Sequence, residues 1–263
     1  SDLMDENYVA LNVYDDQEKA VEMFRKYDRV ALPVVDHSGN LIGIVTFDDV
    51  MDVAVEETTE DIQKQAAVEV LDEPYPTIPI LKMIKKRAGW LSILFIGEMF
   101  TASAMAVFEK EIERAVVLAL FVPLIISSGG NSGSQAATLV VRAMALGEVT
   151  IKDWFLVIKR ELLTGLTLGL ILATIGFIRI YIWQMASHIY GEHWFFVALT
   201  VSISLIGVVL WGTVTGSTLP FILKRLGFDP ASSSAPFVAT LVDVTGIVIY
   251  FTAAMFILGG KLL

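Results

Sequence analysis

The chain contains no cysteine and only three histidines among its 263 residues. The absence of cysteine excludes disulfides, thiolate metal sites and cysteine nucleophiles. The zinc-protease pattern H-E-x-x-H is missing, and the one glycine-rich stretch has neither a preceding strand nor a following P-loop lysine. The sequence therefore argues against the common thiol, zinc and phosphate-binding chemistries.

Charged residues are also scarce, at 18%, whereas apolar residues make up 55% and the mean hydropathy is +0.65. Several apolar runs exceed the roughly 20 residues needed to cross a bilayer, which indicates a polytopic α-helical membrane protein. The chain opens on a polar stretch with no visible signal peptide. Five spans are predicted, at Trp90–Phe108, Ala115–Met144, Trp154–Met185, Trp194–Leu226 and Ser232–Leu258.

The net charge of −10 is unevenly distributed. Residues 1–81 carry 19 acidic and 5 basic side chains, whereas residues 82–263 carry 10 and 14. An acidic soluble segment repels nucleic acid and anionic lipid and attracts divalent cations. We therefore expect this segment to attract divalent cations and to bind no nucleic acid. The apolar spans make a lipid bilayer the other expected partner.

Basic residues near the ends of the spans predict the orientation. The inner flanks would hold ten: Lys82, Lys85, Lys86, Arg87, Arg142, Lys152, Lys159, Arg160, Lys224 and Arg225. The outer flanks would hold four: Lys110, Arg114, Arg179 and Lys261. The positive-inside rule then predicts a cytoplasmic N-terminus and, after five crossings, an outer C-terminus.

The polar N-terminal part shows the pattern of a small α/β unit followed by an acidic helix. The predicted elements are a strand at Val9–Val13, a helix at Gln17–Tyr27, strands at Ala31–Val35 and Leu41–Thr46, and an acidic helix from Asp48 to about Val70. Thr46 is a candidate cap for that last helix. The basic segment Ile80–Arg87 is predicted to lie at the membrane surface.

Asp243 is the one charged residue between Ser232 and Gly260. In a helix that starts near Ser232 it would lie ~16 Å deep. A charge at that depth costs at least ~2.5 kcal/mol and needs a partner or a water-filled cavity. The position predicts an ion path; the alternative is a buried aspartate that is protonated or bonded to Thr240 or Thr245.

The second span contains a run of small and polar residues from Pro123 to Gln135. Pro123 and the three glycines weaken a helix, so backbone carbonyls and the Asn131 and Gln135 side chains could face a cavity as oxygen ligands. Alternatively, the glycines let helices pack closely. Both interpretations stay open for this run.

Other polar residues at membrane depth or in loops have simpler explanations. Glu98 suits an interhelical contact or an ion path, and Glu161 suits an ion pair with Lys159 or Arg160 near the inner face. His188 and His193 have a spacing that allows metal chelation, although histidines at such a place are more often interfacial.

Two motifs and one module together resemble a known family. The module is similar to a CBS domain through Leu32-Pro-Val-Val-Asp36, Gly39, Leu41-Ile-Gly-Ile-Val-Thr46 and Asp48-Asp-Val50. With Gly-Gly-Asn-Ser-Gly-Ser-Gln135 and Ala239-Thr-Leu-Val-Asp-Val-Thr-Gly246, the whole chain resembles the MgtE magnesium channels. The resemblance implies a CBS module at 1–52, an acidic connecting helix and linker at 53–81, and a five-helix pore domain at 82–263.

The resemblance also implies a function and its residues. It implies a homodimer in the cell membrane whose pore holds hydrated Mg²⁺ at Asp243, assisted by the Ala239 carbonyl, with Asn131 in the second-helix motif. It further implies that cytosolic Mg²⁺ closes the pore by binding acids of the module and connecting helix. The matching residues are Asp16, Glu18, Asp28, Asp49, Asp52 and Asp61. Since CBS modules usually occur in pairs, we expect a further N-terminal portion of the protein before residue 1.

Three alternatives are weighed against a magnesium channel. An intramembrane aspartyl protease needs two deep aspartates, and Asp243 has no equally deep aspartate partner in the sequence. A membrane-tethered CBS nucleotide sensor leaves a mid-bilayer aspartate unexplained. Transport of Ca²⁺, Mn²⁺ or Co²⁺ stays open, because oxygen ligands do not separate these ions from Mg²⁺.

Overall fold

The computed structural model describes residues 8–260. The chain forms two compact units, the first ending at Ile62 and the second beginning at Gln63. The polar first residues of the chain and Lys261, assigned above to an outer flank, lie outside the described residues.

The first unit is a three-stranded sheet with two helices. Its elements are β1 (Leu11–Asn12), α1 (Gln17–Tyr27), β2 (Ala31–Val35), β3 (Leu41–Thr46) and α2 (Phe47–Gln65). The central strand β2 pairs parallel with β1 and antiparallel with β3. The predicted bounds of α1, β2 and β3 are confirmed, whereas β1 is shorter than predicted.

Four buried apolar side chains form the core of this unit: Leu11, Phe24, Leu32 and Val50. They come from β1, α1, β2 and α2, so each element contributes its apolar face. Burial of such side chains stabilises by roughly 1.5–3 kcal/mol each. The small size of this core fits a module of about fifty residues.

The acidic helix α2 ends at Gln65 rather than near Val70 as predicted. Ala67 then has a left-handed backbone, with φ of 56°, which ends the helical path. The side-chain oxygen of Gln63 accepts a hydrogen bond from the Leu71 amide at 2.6 Å and holds the chain after the turn. This turn forms without glycine, so no residue type in the sequence predicts it.

The second unit is helical. Its helices are α3 (Ile80–Val107), α4 (Glu109–Arg114), α5 (Val116–Ala119), α6 (Val122–Ala145), α7 (Trp154–Ser187), α8 (Trp194–Arg225) and α9 (Ala235–Leu258). Short 3₁₀ turns precede α7 and α9. Five stretches are long and apolar enough to cross a membrane: α3, α5 with α6, α7 with its 3₁₀ turn, α8 and α9. The predicted number of membrane helices is confirmed, although α3 begins ten residues before the predicted Trp90.

The basic segment Ile80–Arg87 forms the first two turns of α3, and its position at the membrane surface stays a prediction. Lys82 Nζ lies 2.8 Å from Asp72 Oδ2 and 2.7 Å from Glu73 Oε1. The hydrogen bond from Lys82 lowers the pKa of the Asp72 carboxyl below its ordinary value. These ion pairs tie the first turn of α3 to the loop that precedes it.

Close glycine contacts join α6 to α8. A methyl group on Gly212 would collide with the Gly129 carbonyl, and one on Gly216 would collide with the Gly133 carbonyl. The two helices therefore run parallel with their backbones in contact. Of the two interpretations of these glycines, close helix packing is confirmed: α6 is continuous, and the irregularity lies earlier, at Leu120 and Phe121, just before Pro123.

Helix α8 lies at the centre of the second unit, since α6, α7 and α9 all pack on it. Gly165 and Gly169 of α7 approach Leu210 and Ile206 of α8 in the opposite order along the chain. Helix α7 therefore runs antiparallel to α8. From α6 to α9, successive long helices therefore alternate in direction, as expected for repeated crossings of a membrane.

Candidate functional site

Asp243 lies on α9, eight residues after the helix begins at Ala235. At 1.5 Å per residue this is ~12 Å from the start of the helix, shallower than the ~16 Å expected from a start at Ser232. The difference arises because Ser234 caps the helix, accepting a hydrogen bond from the Phe237 amide at 3.3 Å. The side chain is half-buried within the described chain.

The glycine-rich face of α6 lies directly against Asp243. A methyl group on Gly130 would be 3.4 Å from Asp243 Oδ1 and 3.3 Å from the Ala239 Cβ atom. Ser134, one turn further along α6, donates a hydrogen bond to the Ala235 carbonyl at 2.9 Å. The two sequence motifs are therefore in contact, and glycine at position 130 leaves the carboxylate open on that side.

The Asp243 carboxylate makes no hydrogen bond or ion pair with any of residues 8–260. The alternative in which a neighbouring threonine satisfies it is not what the structure shows. Thr240 donates to the Pro236 carbonyl at 3.0 Å, and Thr245 donates to the Leu241 carbonyl at 2.9 Å. A half-buried membrane carboxylate without a protein partner is suited to a hydrated cation.

Ala239 lies one turn before Asp243 on the same helix. In a regular α-helix its carbonyl accepts the Asp243 amide, which leaves one lone pair for another donor. Ala239 is half-buried and touches Gly130. A water molecule of a hydrated ion could use that lone pair, so the position fits the role that the resemblance implies.

Asn131 lies on the outward face of α6 and donates a hydrogen bond to Ser127 Oγ at 3.3 Å. Ser127, Asn131, Gln135 and Thr138 are all exposed and recur at intervals of three or four residues. They form a polar stripe along one face of a membrane helix. An open hollow of about 400 Å³ lies beside it, lined by Ser134, Gln135, Thr138 and Leu139. Such a stripe is unsuited to lipid.

The other acids of the membrane helices differ from Asp243. Glu98 is exposed on α3, and its charge acts on Asp243. Its neighbour Gly97 meets Thr240 of α9, so Glu98 lies close to the depth of Asp243. Glu161 is half-buried on α7 near Arg160. The predicted ion pair of Glu161 with Lys159 or Arg160 is not found among residues 8–260.

The two histidines of the loop between α7 and α8 serve as helix ends. His188 closes α7 in a left-handed conformation with φ of 53°, and His193 precedes the first residue of α8. They do not form part of any group of three potential metal ligands within the described chain. The interfacial interpretation of these residues agrees with their positions.

The acids matched to regulatory residues lie in the first unit. Asp16 caps α1 and accepts a hydrogen bond from the Glu18 amide at 3.2 Å, and Glu18 lies in the first turn. Asp28 ends the same helix with φ of 47°. These three acids therefore mark the two ends of α1 and are separated by its length.

The remaining acids lie on α2. Asp49 accepts a hydrogen bond from Thr46 Oγ1 at 2.7 Å, so Thr46 bonds to a side chain of the first turn. Asp52 is exposed and Asp61 is half-buried. Among residues 8–260 no group of three or more acidic or histidine side chains is arranged to hold a metal ion.

Two further interactions were not foreseen from the sequence. Trp211 of α8 donates a hydrogen bond to Thr245 of α9 at 2.8 Å, and Lys64 pairs with Asp229 at 2.5 Å. Each joins residues far apart in the chain. Tryptophan prefers the membrane interface. The position of Trp211 near the middle of a predicted span was therefore the only signal in the sequence for its hydrogen bond to Thr245.

Comparison with known proteins agrees with this geometry. The family model described as "MgtE: Divalent cation transporter" matches residues 122–253, which contain α6, α7, α8 and most of α9. The CBS domain model matches residues 1–56. The chain belongs to the MgtE family. Both Asp243 and the polar stripe of α6 fall inside the matched part, whereas α3 with Glu98 falls outside both matches.

Curated MgtE relatives are similar over nearly the whole chain. The magnesium transporter MgtE of Thermus thermophilus is 39% identical over 258 residues, covering 98% of this chain and 55% of the relative. The protein of the same name from Enterococcus faecalis is 35% identical over 255 residues, with 97% and 54% coverage. That of Bacillus subtilis is 32% identical over 253 residues, with 96% and 54% coverage. The chain spans about half the length of these MgtE relatives.

Proposed function

We propose that this MgtE-family protein conducts Mg²⁺ across the cell membrane through a pore in which Asp243 binds the hydrated ion. The observation that carries the proposal is the Asp243 carboxylate itself. It lies at membrane depth against Gly130 and has no partner among residues 8–260. The similar MgtE proteins are named magnesium transporters, which supports Mg²⁺ as the substrate.

The chemistry of the site suits a hydrated ion better than a dehydrated one. Mg²⁺ takes six oxygen ligands in octahedral geometry and loses water slowly. One carboxylate per chain, with the free lone pair of the Ala239 carbonyl nearby, can hold the ion through its water shell. More carboxylates around the ion would slow its release, and conduction requires release.

A homodimer would supply the second wall of this pore. The α6 stripe of Ser127, Asn131, Gln135 and Thr138 is polar and exposed within one chain. Contact with hydrocarbon would leave the remaining donors and acceptors of these groups unpaired, beyond the bond from Asn131 to Ser127. A second copy facing the stripe across a water-filled path would hydrate them and bring two Asp243 carboxylates towards one ion. Asn131 would then face the path as a neutral oxygen ligand for bound water.

Regulation by cytosolic Mg²⁺ is the second part of the proposal. The first unit carries the acids Asp16, Glu18, Asp28, Asp49, Asp52 and Asp61. Like charges on facing surfaces repel each other until divalent ions bridge them. Binding of Mg²⁺ between these acids and surfaces outside the described chain would favour a closed state and give negative feedback.

The orientation is proposed from charge. The alternating helix directions support termini on opposite sides of the membrane, and the basic inner flanks favour a cytoplasmic N-terminus. That orientation would expose the acidic unit to cytosolic Mg²⁺, as feedback requires. Cysteine labelling of each terminus in sealed vesicles tests it, because an impermeant reagent would reach only the outer end.

The pore assignment is tested by flux into liposomes that contain the purified protein. Asp243→Asn removes the charge with little change in size and should abolish Mg²⁺ uptake. Glu161→Gln is the matched control, because Glu161 is also a half-buried acid within a membrane helix. That variant should keep its uptake. Uptake by Asp243→Asn equal to that of the parent would refute the pore role.

Other divalent cations are the second candidate substrates, since the family description names divalent cations in general. The same liposomes should be assayed with Co²⁺, Mn²⁺ and Ca²⁺ at matched concentrations. Preference for Mg²⁺ is expected if the ion stays hydrated at Asp243. Faster passage of one of the other ions would assign the protein to that ion instead.

A further inference from the structure

Trp211 lies near the middle of the 32-residue helix α8, in the part of a span where tryptophan is uncommon. Its indole is 44% exposed within the described chain, so packing alone does not account for it. The indole Nε1 donates a hydrogen bond to Thr245 Oγ1 at 2.8 Å. An N–H group in hydrocarbon is costly without an acceptor, and this bond supplies one.

The hydroxyl of Thr245 is oriented by its neighbours. Its single proton points to the backbone of the preceding turn, where the Leu241 carbonyl lies at 2.9 Å and the Val242 carbonyl at 3.3 Å, and a lone pair accepts the indole proton. The indole is therefore linked through Thr245 to the backbone of α9 one turn earlier. Asp243 lies between Leu241 and Thr245 on that turn.

The hydrogen bond from Trp211 to Thr245 also restrains the rotation of α9 about its own axis. Asp243 and Thr245 are two residues apart, so they point about 200° apart around the helix axis. Gly130 of α6 contacts the Asp243 side, and Trp211 of α8 holds the nearly opposite side. Elsewhere α8 meets α9 through glycines with apolar side chains, at Gly207 with Ile249 and at Gly246 with Val208. Such apolar contacts resist rotation less specifically than a directed hydrogen bond.

We propose that Trp211 is a positioning residue for ion binding, which sets the rotation and depth of α9 through Thr245 so that Asp243 faces the ion path. The inference rests on the proposed function, since it concerns how the Asp243 site is held. It identifies a residue of α8 that does not touch the ion and yet tunes its affinity.

The test compares Trp211→Phe, Thr245→Val and the double variant in the liposome assay. Phenylalanine keeps an aromatic ring and loses the N–H donor, and valine keeps the shape of threonine and loses the hydroxyl. Each single variant should raise the Mg²⁺ concentration for half-maximal uptake about 3-fold, the size expected from one intramembrane hydrogen bond. The double variant should be no worse than either single variant, since both remove the same bond.

The control is Trp154→Phe, which changes an exposed tryptophan of α7 that packs edge-on against Phe155. It should leave the half-saturating concentration unchanged. A merely structural role for Trp211 would lower the yield of folded protein and the maximal uptake while the half-saturating concentration stayed constant, and that result would overturn the inference. Independent, multiplying effects of the two single variants would also overturn it. Absence of Mg²⁺ uptake by the parent would overturn the proposed function itself. Failure of the Trp211 inference alone would leave the parent's uptake intact, so the two failures are distinguishable.

Discussion

The carboxylate of Asp229 accepts a hydrogen bond from the ammonium group of Lys64, with Oδ2 and Nζ 2.5 Å apart. Lys64 lies in the last turn of α2, and Asp229 precedes the 3₁₀ turn Pro230–Ser232 that leads into α9. The other carboxylate oxygen of Asp229 accepts the Ala231 amide at 2.8 Å. The end of α2 is therefore tied to the segment that leads to Asp243.

Replacement of Lys64 by methionine should weaken this connection. Both side chains are less than one third exposed, so the pair should contribute at most ~1 kcal/mol and lose strength in high salt. If binding at the acidic unit is transmitted through α2, the variant should need a higher internal Mg²⁺ concentration for inhibition. Flux measured against internal Mg²⁺ checks this. Lys85→Met alters an exposed lysine of α3 and should be inhibited by internal Mg²⁺ like the parent. Equal sensitivity of both variants to internal Mg²⁺ would contradict the coupling.

The glycine contacts between α6 and α8 predict a loss of stability on substitution. An added methyl at Gly216 would collide with the Gly133 carbonyl, and backbone cannot move aside as a flexible side chain can. Gly216→Ala should therefore destabilise the protein by ~1–3 kcal/mol. Thermal unfolding in detergent, followed by size-exclusion chromatography, measures the change.

The control for that substitution is Gly89→Ala on α3. Its added methyl would lie 3.5 Å from Glu69 Oε1, an ordinary contact, and alanine favours a helix by ~1 kcal/mol over glycine. This variant should be as stable as the parent or slightly more stable. A Gly216→Ala protein that unfolds at the same temperature as the parent would argue against backbone contact between α6 and α8.

The sequence predicted the membrane helices well and their contacts poorly. Long apolar runs define spans by themselves, so α7, α8 and α9 begin or end within a few residues of their predicted bounds. The glycines of α6 were ambiguous because their effect depends on Gly212 and Gly216, some 83 residues away. Only the packed structure decides whether such a glycine breaks a helix or joins two helices.

The candidate site shows the same limit. Asp243 stood out locally, because one charge in an apolar run needs an explanation whatever surrounds it. The lack of a partner for Asp243 among residues 8–260 could not be predicted, since Thr240 and Thr245 were equally available in sequence and bond to carbonyls of their own helix instead. The bond between Trp211 and Thr245 spans 34 residues and follows no local pattern.

The α6 stripe predicts a pattern of water accessibility. The chain has no cysteine, so single cysteines can be introduced without interference. Gln135→Cys should react with a small charged thiol reagent, because the stripe would face a water-filled path. Leu170→Cys, on an exposed apolar face of α7, should not react since it would face lipid. Labelling yields by mass spectrometry compare the two; equal protection of both cysteines would contradict a hydrated path along α6.

Acids on α2 predict a separation of gating from conduction. Asparagine at positions 49, 52 and 61 removes three charges, and asparagine at position 49 keeps an oxygen acceptor for the Thr46 hydroxyl. With fewer carboxylates, the affinity of these surfaces for bridging Mg²⁺ would fall. The triple variant of Asp49, Asp52 and Asp61 should therefore need more internal Mg²⁺ for closure while its uptake at low internal Mg²⁺ matches that of the parent. The variant with Glu22→Gln and Glu56→Gln is the control for a general loss of charge, because both acids are exposed and belong to the same unit. A control that shifts closure as far as the triple variant would indicate that net charge, rather than ions bound at these three acids, governs the gate.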